Sequence, residues 1–447
     1  MEHAKHEPTS QALPASSGLL DRLFKLSAHG TTVKTELVAG LTTFITMAYI
    51  IFVNPNIMSA SGMDAGAVFV ATCIGAAVAT LFMGLYANWP VGLAPGMGLN
   101  AFFAFTVVGE MGYSWEVALG AVFWSGIIFT AMSFWKIREW ILDAIPESLR
   151  YAMTAGVGLF LGLIGLKTAG IVVPSEATLV TLGDFTNPNT WLAAACFLII
   201  ATLAHLRVFG AVLIGVLGTT LIGLGMGLVE YNGIFAAPPS LAPTLFKLDI
   251  MGALDIGMIT VILAFLFVNM FDTAGTLMGV AERAQLRRPD GTIEGLKKSL
   301  KADSASSVIG TFVGCPPVTS YVESSAGVAA GGRTGLTAVT IAALFLLSIF
   351  LAPLAGMVPA YATAGALIYV AFVMMSSLAN IDWNDYTELA PAALTALMMP
   401  LTFSIANGIA MGFVAYAVLK LATGQAAKVS VGVYVLSVIF IAKFIFM

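Results

Sequence analysis

Asp272 lies in the stretch FVNMFDTAGT (267–276) and is the only charged residue between Gly257 and Ala281. A carboxylate set in an apolar run can accept two hydrogen bonds side by side or carry a proton. At bilayer depth such a charge costs at least about 2.5 kcal/mol even on lenient insertion scales. If the run is helical, Asn269, Asp272, Thr273 and Thr276 fall at i, i+3, i+4 and i+7 and share one face. That face must meet protein or a water-filled cavity, either as a helix-packing device or as a binding surface. A second acid, Glu323, stands in GCPPVTSYVESSAGVAAGGRTGLT (314–337), where Pro316 and Pro317 disfavour helix and push the chain extended. Ser320, Glu323, Ser324 and Gly327 would then share a helical face. Ser320-x-x-Glu323 also has the spacing of a capping box. A helix that starts inside a membrane directs its positive dipole end at any polar ligand there, so capping and ligand contact are compatible roles. In PVGLAPGMGLNAFFAF (90–105), Gly92, Pro95, Gly96 and Gly98 interrupt an uncharged run. Asn100 follows, either as a helix N-cap or as a ligand contact. Phe102, Phe103 and Phe105 could stack on a flat ring or pack in the core. Thr43, Thr46 and Asn54 are further polar candidates, and Arg333 reads as a cap on the end of its helix.

The elements that must position these groups are membrane spans. The chain of 447 residues is 59% hydrophobic and 10% charged, against about 25% charged in a soluble domain. Its mean hydropathy is +0.93. Residues 65–109 and 335–381 contain no Asp, Glu, Lys or Arg. About 20 apolar residues cross a bilayer as a helix, which makes this an all-α polytopic membrane protein. Apolar runs are read near 36–55, 66–86, 93–109, 115–134, 149–171, 190–206, 209–229, 256–280, 303–315, 317–331, 335–356, 361–379, 389–405, 406–423 and 429–446, the last either a span or a helix lying against the membrane. The first 35 residues are polar and mixed, without the form of a cleavable signal peptide.

Lys and Arg set the orientation. Arg22, Lys25 and Lys34 precede the first run, Lys136, Arg138 and Arg150 follow the fourth, His205 and Arg207 the sixth, a dense basic loop (282–301) the eighth, and Arg333 the tenth. All fall on one side if the N-terminus is cytoplasmic. Glu176 and Asp184 lie opposite, while the acidic loop NIDWNDYTE (380–388) falls on the basic side and fits less well. IFVNP (51–55) matches LFVNM (266–270), and GLAP (92–95) matches GCPP (314–317), about half a chain apart. Broken apolar segments in corresponding halves point to a transporter site built by inverted repeats. Cys73, Cys196 and Cys315 and four histidines lack disulfide or metal-ligand spacing, no cofactor or ATP-binding loop is present, and Ser320 and Ser324 have no histidine or lysine base for enzyme chemistry. The residues alone therefore describe a secondary transporter.

The stretches GLTTFITMAYIIFVNP (40–55), APGMGLNAFFAF (94–105), FDTAGTL (271–277) and YVESSAGVAAGGRTGLT (321–337), in this order, resemble the adenine–guanine–hypoxanthine permeases, a branch of the nucleobase/ascorbate transporter (xanthine/uracil permease) superfamily. The resemblance covers the chain from about residue 20 to the end. It implies fourteen spans in two inverted seven-span repeats, with spans 3 and 10 each opening on a short extended segment. It further implies a cytoplasmic N-terminal segment (1–35) and a core domain from residues 36–135 and 256–356. A gate domain would comprise residues 136–255 and 357–447. Fifteen apolar runs exceed that count by one.

By the same resemblance the function is proton-coupled uptake of a purine nucleobase across a bacterial inner membrane, the N-terminus cytoplasmic, with no enzymatic step and no cofactor beyond the coupling proton. Asp272 and Glu323 match the family's substrate-binding acids and are the proton-coupling candidates; Asn100 matches a polar binding position. Together with Thr276, Ser320 and Phe102 they form the expected site. Many relatives carry an acid where this chain has Asn269, which puts a two-acid mechanism on that helix in doubt. A carboxylate suits the N1–H edge of guanine and hypoxanthine, which are favoured over adenine. Partners are the nucleobase and the lipid bilayer, with a homodimer allowed and no nucleic acid. The rival on the same fold is an anion transporter or channel.

Overall fold

The computed structural model describes residues 18–134, 145–287 and 292–446. Lys136, Arg138, Arg288 and residues 1–17, which entered the orientation and domain expectations, lie outside the described residues. Nine helices among the described residues are long and apolar enough to cross a membrane: Val33–Ser59, Ala65–Ala87, Trp115–Phe134, Glu147–Thr168, Pro188–His205, Met258–Arg283, Gly335–Met357, Ala360–Asn380 and Ile405–Ala422. These are spans 1, 2, 4, 5, 6, 8, 11, 12 and 14. Span 3 is strand β1 (Leu93–Pro95) followed by helix Met97–Glu110. Span 7 is Ala211–Gly225, span 9 Leu296–Phe312 and span 13 Tyr386–Leu401. A hairpin of β2 (Val172–Ser175) and β3 (Leu179–Leu182) joins spans 5 and 6. Span 10 is β4 (Val318–Ser320) and the short helix Ser324–Ala329. The fifteenth run is a real helix, Val431–Phe446, packed on span 14 through Phe440 and Phe413. Span 9 starts seven residues before the expected 303, because Lys297, Lys298 and Lys301 are already helical.

The two halves are inverted repeats, and their contacts show it. Span 1 packs on span 11 and span 8 on span 4; span 2 packs on 11 and 9 on 4; span 5 packs on 13 and 12 on 6. Adding seven to a span number, modulo fourteen, maps each contact onto its mate. Spans 2 and 9, 5 and 12, and β1 and β4 meet their own equivalents.

The β1–β4 pair explains the Pro/Gly breaks. The strands run antiparallel with Leu93 opposite Ser320 and Pro95 opposite Val318, all buried. Pro95, Pro316 and Pro317 lack the N–H that a helix needs, and extended backbone at membrane depth survives only where protein satisfies it. Here Thr80 exchanges both hydrogen bonds with the backbone of Leu93 (2.8 and 2.9 Å), and Ser307 donates to the carbonyl of Val318 (2.7 Å). The first residue of each strand is thus held by a hydroxyl from the preceding long helix. Gly327 brings the span 10 helix against Ala39 and Thr43 of span 1 so closely that a Cβ would collide with both.

Buried charges tie the remaining ends. Glu36 is fully buried in span 1 and accepts from the N–H groups of Arg333, Thr334 and Thr337 and the Thr337 hydroxyl (2.6–3.2 Å). It caps the start of span 11 from across the fold, as a carboxylate suits a helix N-terminus. Arg333 donates to the carbonyls of Val328 and Gly332, capping the end of span 10 as expected. Glu36→Ala leaves these donors without their acceptor, a loss of several kcal/mol at about 1–3 each. The variant should melt well below the parent in detergent, and an unchanged melting temperature would show that water replaces the carboxylate. The acidic loop on the basic side has a similar explanation. Glu388 bonds the buried Lys420 ammonium at 2.7 Å and accepts from Ser148 and Tyr416. Asp385 caps span 13, and the Thr387 hydroxyl and N–H hold its carboxyl below the usual range.

Candidate functional site

A cavity of about 1030 Å³ lies against the crossing of spans 3 and 10. Its closed end is lined by Asp272 of span 8, Glu323 at the start of the span 10 helix, Thr319–Tyr321 of span 10, Tyr49 and Thr46 of span 1, and Gly96–Leu99 of span 3. Opposite these stand Met153 and Val157 of span 5 and Tyr369 and Val370 of span 12. From there it runs to the helix ends at Arg207, Arg283 and Asn380, all exposed. Even-numbered spans 6, 8 and 12 end on the side where span 1 begins, so the mouth opens on the side of Val33.

Each acid is placed by its local backbone. Glu323 occupies the N-cap position of the span 10 helix. Its carboxylate does not cap that helix, and it accepts instead from the Tyr49 hydroxyl at 2.8 Å. Tyr49 sits at the interruption of span 1 between the helices Val33–Met47 and Ile50–Ser59. The expected capping box is therefore absent. Ser320 is in β4, where its hydroxyl (2.6 Å) and N–H (2.9 Å) both donate to Asp303. Helix N–H groups near Glu323 are met by backbone turns, Ser324 to the Tyr321 carbonyl and Ser325 to that of Val322.

The polar face of span 8 divides into two stripes. Asp272 and Thr276 line the cavity with Gly275 and Gly279, at which a Cβ would meet open space. Asn269 and Thr273 turn to span 9: Asn269 donates to Ser307 at 2.9 Å and Thr273 to Asp303 at 2.7 Å. The amide at 269 therefore faces a seam in which Asp303 already supplies a carboxylate. Asp303 is fully buried, and it accepts from span 8 (Thr273) and β4 (Ser320) together. Sequence reasoning passed over it, although a lone acid beside Ser304, Ser306 and Ser307 at the head of an apolar run was a signal. It also passed over Tyr49, Tyr321 and Tyr369, which look like ordinary span aromatics in the sequence.

Four of the six expected site residues line the cavity: Asp272, Glu323, Thr276 and Ser320. Asn100 and Phe102 do not. Asn100 is fully buried inside the span 3 helix, whose N-cap is Gly96, and donates to Asn54 at 2.6 Å; Asn54 in turn donates to Thr72. Phe102 packs edge-on against Phe265 at 5.2 Å. One turn earlier, Met97, Gly98 and Leu99 form the wall in their place. The N–H groups of that first turn lie outside the helical ladder and are natural donors to a ligand. Acceptors on two carboxylates and donors on a helix start thus converge at one closed end. Phe271, Tyr321 and Tyr369 supply apolar ring surface beside them.

A helical membrane protein built from inverted seven-span repeats, with two broken spans crossing at a polar cavity, is a secondary-transporter scaffold. The chain belongs to the Permease family, whose model Xan_ur_permease matches residues 34–411, and it is a permease rather than an enzyme. It is similar to the adenine permease AdeP of Escherichia coli (strain K12), 50% identical over 99% of both chains. It is 42% identical to the guanine/hypoxanthine permease PbuO of Bacillus subtilis (strain 168), over 94% of this chain and 98% of that one. The transmembrane domain of the cyanobacterial bicarbonate transporter BicA has the same fold, with a TM-score of 0.63 at 17% identity, covering 83% of this chain and 96% of that one. Murine Slc26a9, an anion transporter, matches with a TM-score of 0.63 at 12% identity over 93% of this chain and 74% of that one.

Proposed function

We propose that this permease carries purine nucleobases across a bacterial inner membrane in symport with protons, and that adenine is the substrate to test first. The observation that carries the reading is the meeting of Asp272, Glu323 and the span 3 helix start at the closed end of one cavity. A purine offers N–H donors to a carboxylate, ring nitrogens to backbone N–H groups and a flat face to aromatic rings. Adenine leads because the adenine permease AdeP is 50% identical and PbuO 42%. The carboxylate argument taken alone favours the N1–H edge of guanine and hypoxanthine, which makes them the competitors to include. In this reading spans 1–4 and 8–11 form a core that carries the site past a gate of spans 5–7 and 12–14. The N-terminus is cytoplasmic, and the cavity mouth faces inward. Asp272 or Glu323 holds the coupling proton.

The rival reading, an anion carrier, is raised by the fold shared with BicA and Slc26a9. An anion needs a cationic partner, and the two charged side chains at the closed end are both acids. The test is uptake of labelled adenine into proteoliposomes under an inward proton gradient, with guanine, hypoxanthine, uracil, chloride and sulfate as competitors. Purine competition with loss of gradient-driven accumulation in Asp272→Asn supports the proposal. Competition by chloride or sulfate alone sinks the substrate class. Full accumulation by Asp272→Asn removes Asp272 from coupling.

A further inference from the structure

The cavity is larger than its closed end needs, and its charges are polarised. At about 1030 Å³ it reaches the top of the roughly 300–1,000 Å³ range of pockets that hold drug-sized ligands. Among the described residues four charged side chains line it: Asp272 and Glu323 at the closed end, Arg207 and Arg283 at the mouth. Asp272, Thr276, Gly279 and Arg283 follow one another at i, i+4, i+7 and i+11 along span 8 and line the cavity as a single stripe. Eleven residues of helix rise about 16 Å, and they return to within roughly 20° of the same face. That separation exceeds what one fused-ring base can bridge. The long Arg283 side chain leans toward the helix N-terminus, hence back along the cavity, and narrows the gap. Arg207 meets the mouth from the other side, at the end of span 6, in a left-handed backbone conformation (φ 58°) that turns the chain into span 7. Among the described residues neither guanidinium has a protein acceptor or an acid partner, and the rest of the mouth is neutral, with Thr154, Ser377 and Asn380.

A ligand that fits this distribution has an N–H-bearing base at one end and an anion at the other. We infer that the mouth is a second subsite, for the phosphate of a purine nucleoside 5′-monophosphate whose base occupies the closed end. The inference rests on the purine reading of that closed end. Guanidinium groups suit phosphate because they present paired donors to its oxygens. Arg207 and Arg283 stand on elements that the proposed mechanism moves apart and together. A phosphate held by both stabilises the open-mouthed state alone, and a ligand shifts a conformational equilibrium by its differential affinity. The nucleotide therefore binds without being carried and holds the permease open on the mouth side. A nucleotide built from the imported base would in this way restrain further import.

The test is direct binding of labelled AMP and labelled adenine to the purified full-length protein, with adenosine and inorganic phosphate as comparators and Arg207→Gln and Arg283→Gln as variants. AMP should bind at least about tenfold more tightly than adenosine, and each variant should weaken AMP by about tenfold or more, the range for a lost charged hydrogen bond. Both variants should keep the parent affinity for adenine, and excess adenine should displace AMP. AMP binding no tighter than adenosine, or unchanged in both variants, overturns the proposal. AMP binding that depends on the arginines but resists adenine and equals that of inorganic phosphate overturns the shared site and leaves an anion site only. Absence of adenine binding in the parent strikes the purine reading itself, which the separate adenine measurement distinguishes from failure of the mouth subsite.

Discussion

Glu323→Gln should lower nucleobase affinity by at least about 100-fold while leaving a folded, monodisperse protein. The amide keeps the size of the side chain but replaces one acceptor oxygen by a donor, so paired acceptance from a base edge is lost. Hydrogen bonds to a charged group are worth about 1.5–3 kcal/mol each, and two of them exceed the 2.7 kcal/mol that a 100-fold change in affinity requires. Fold is spared because the side-chain donor to the carboxylate, the Tyr49 hydroxyl at 2.8 Å, can still be accepted by an amide oxygen. Tyr49→Phe provides the graded control. It removes the group that orients Glu323 and should cost about tenfold or less, the value of one ordinary hydrogen bond. Equilibrium binding of labelled adenine, paired with thermal melting, reads both. Glu323→Gln binding within twofold of the parent would assign Glu323 to holding Tyr49 and leave Asp272 as the recognition group.

Asp303→Ala should remove binding although Asp303 does not line the cavity. Its two oxygens accept from the Ser320 N–H, the Ser320 hydroxyl and the Thr273 hydroxyl at 2.6–2.9 Å, all buried. It therefore fastens the last residue of β4 to span 8, and Glu323 follows three residues after that anchor. Alanine orphans the Ser320 N–H and hydroxyl at about 1–3 kcal/mol each, leaves the Thr273 hydroxyl only that of Thr319 at 3.1 Å, and frees the strand that aims Glu323. Asp303→Asn keeps one acceptor oxygen and should fall between the parent and alanine in melting temperature and in affinity. Lower stability with parent-like binding at a temperature where the variant is folded would limit Asp303 to fold maintenance. Parent-like behaviour in both measurements would show that the seam between spans 8 and 9 does not depend on the carboxylate.

These two residues mark where the sequence was legible. Glu323 could be singled out because an acid in a run of small and apolar residues after two prolines is conspicuous by itself. Asp303 could not be ranked, because Lys297, Lys298 and Lys301 placed it at the edge of a basic loop. Its importance comes from partners on span 8 and β4, which are 30 and 17 residues away in the chain. Asn100 misled for the complementary reason. An Asn after a Gly/Pro break has the form of a cap, but the helix had already begun at Met97, and the side-chain NH2 donates to Asn54, 46 residues earlier.

What the sequence determined by itself was everything that follows from local transfer energies and local backbone chemistry. Apolar runs of span length define membrane helices because each residue's burial in lipid is favourable wherever the neighbours lie. Pro95, Pro316 and Pro317 break spans 3 and 10 because the missing N–H and the pyrrolidine ring act on the adjacent turn. Lone acids on such spans are costly in any arrangement, so Asp272 and Glu323 had to meet protein or water. The tertiary structure decided the rotation of each helix and the pairing of each polar group. It sent Asp272 and Thr276 to the cavity and Asn269 and Thr273 to span 9, although all four lie within two turns of one helix. It set Tyr49 against Glu323, 274 residues away. A helix's periodicity fixes only the relative angles of its side chains; the absolute direction comes from the neighbours it packs against, and those are chosen by the fold as a whole.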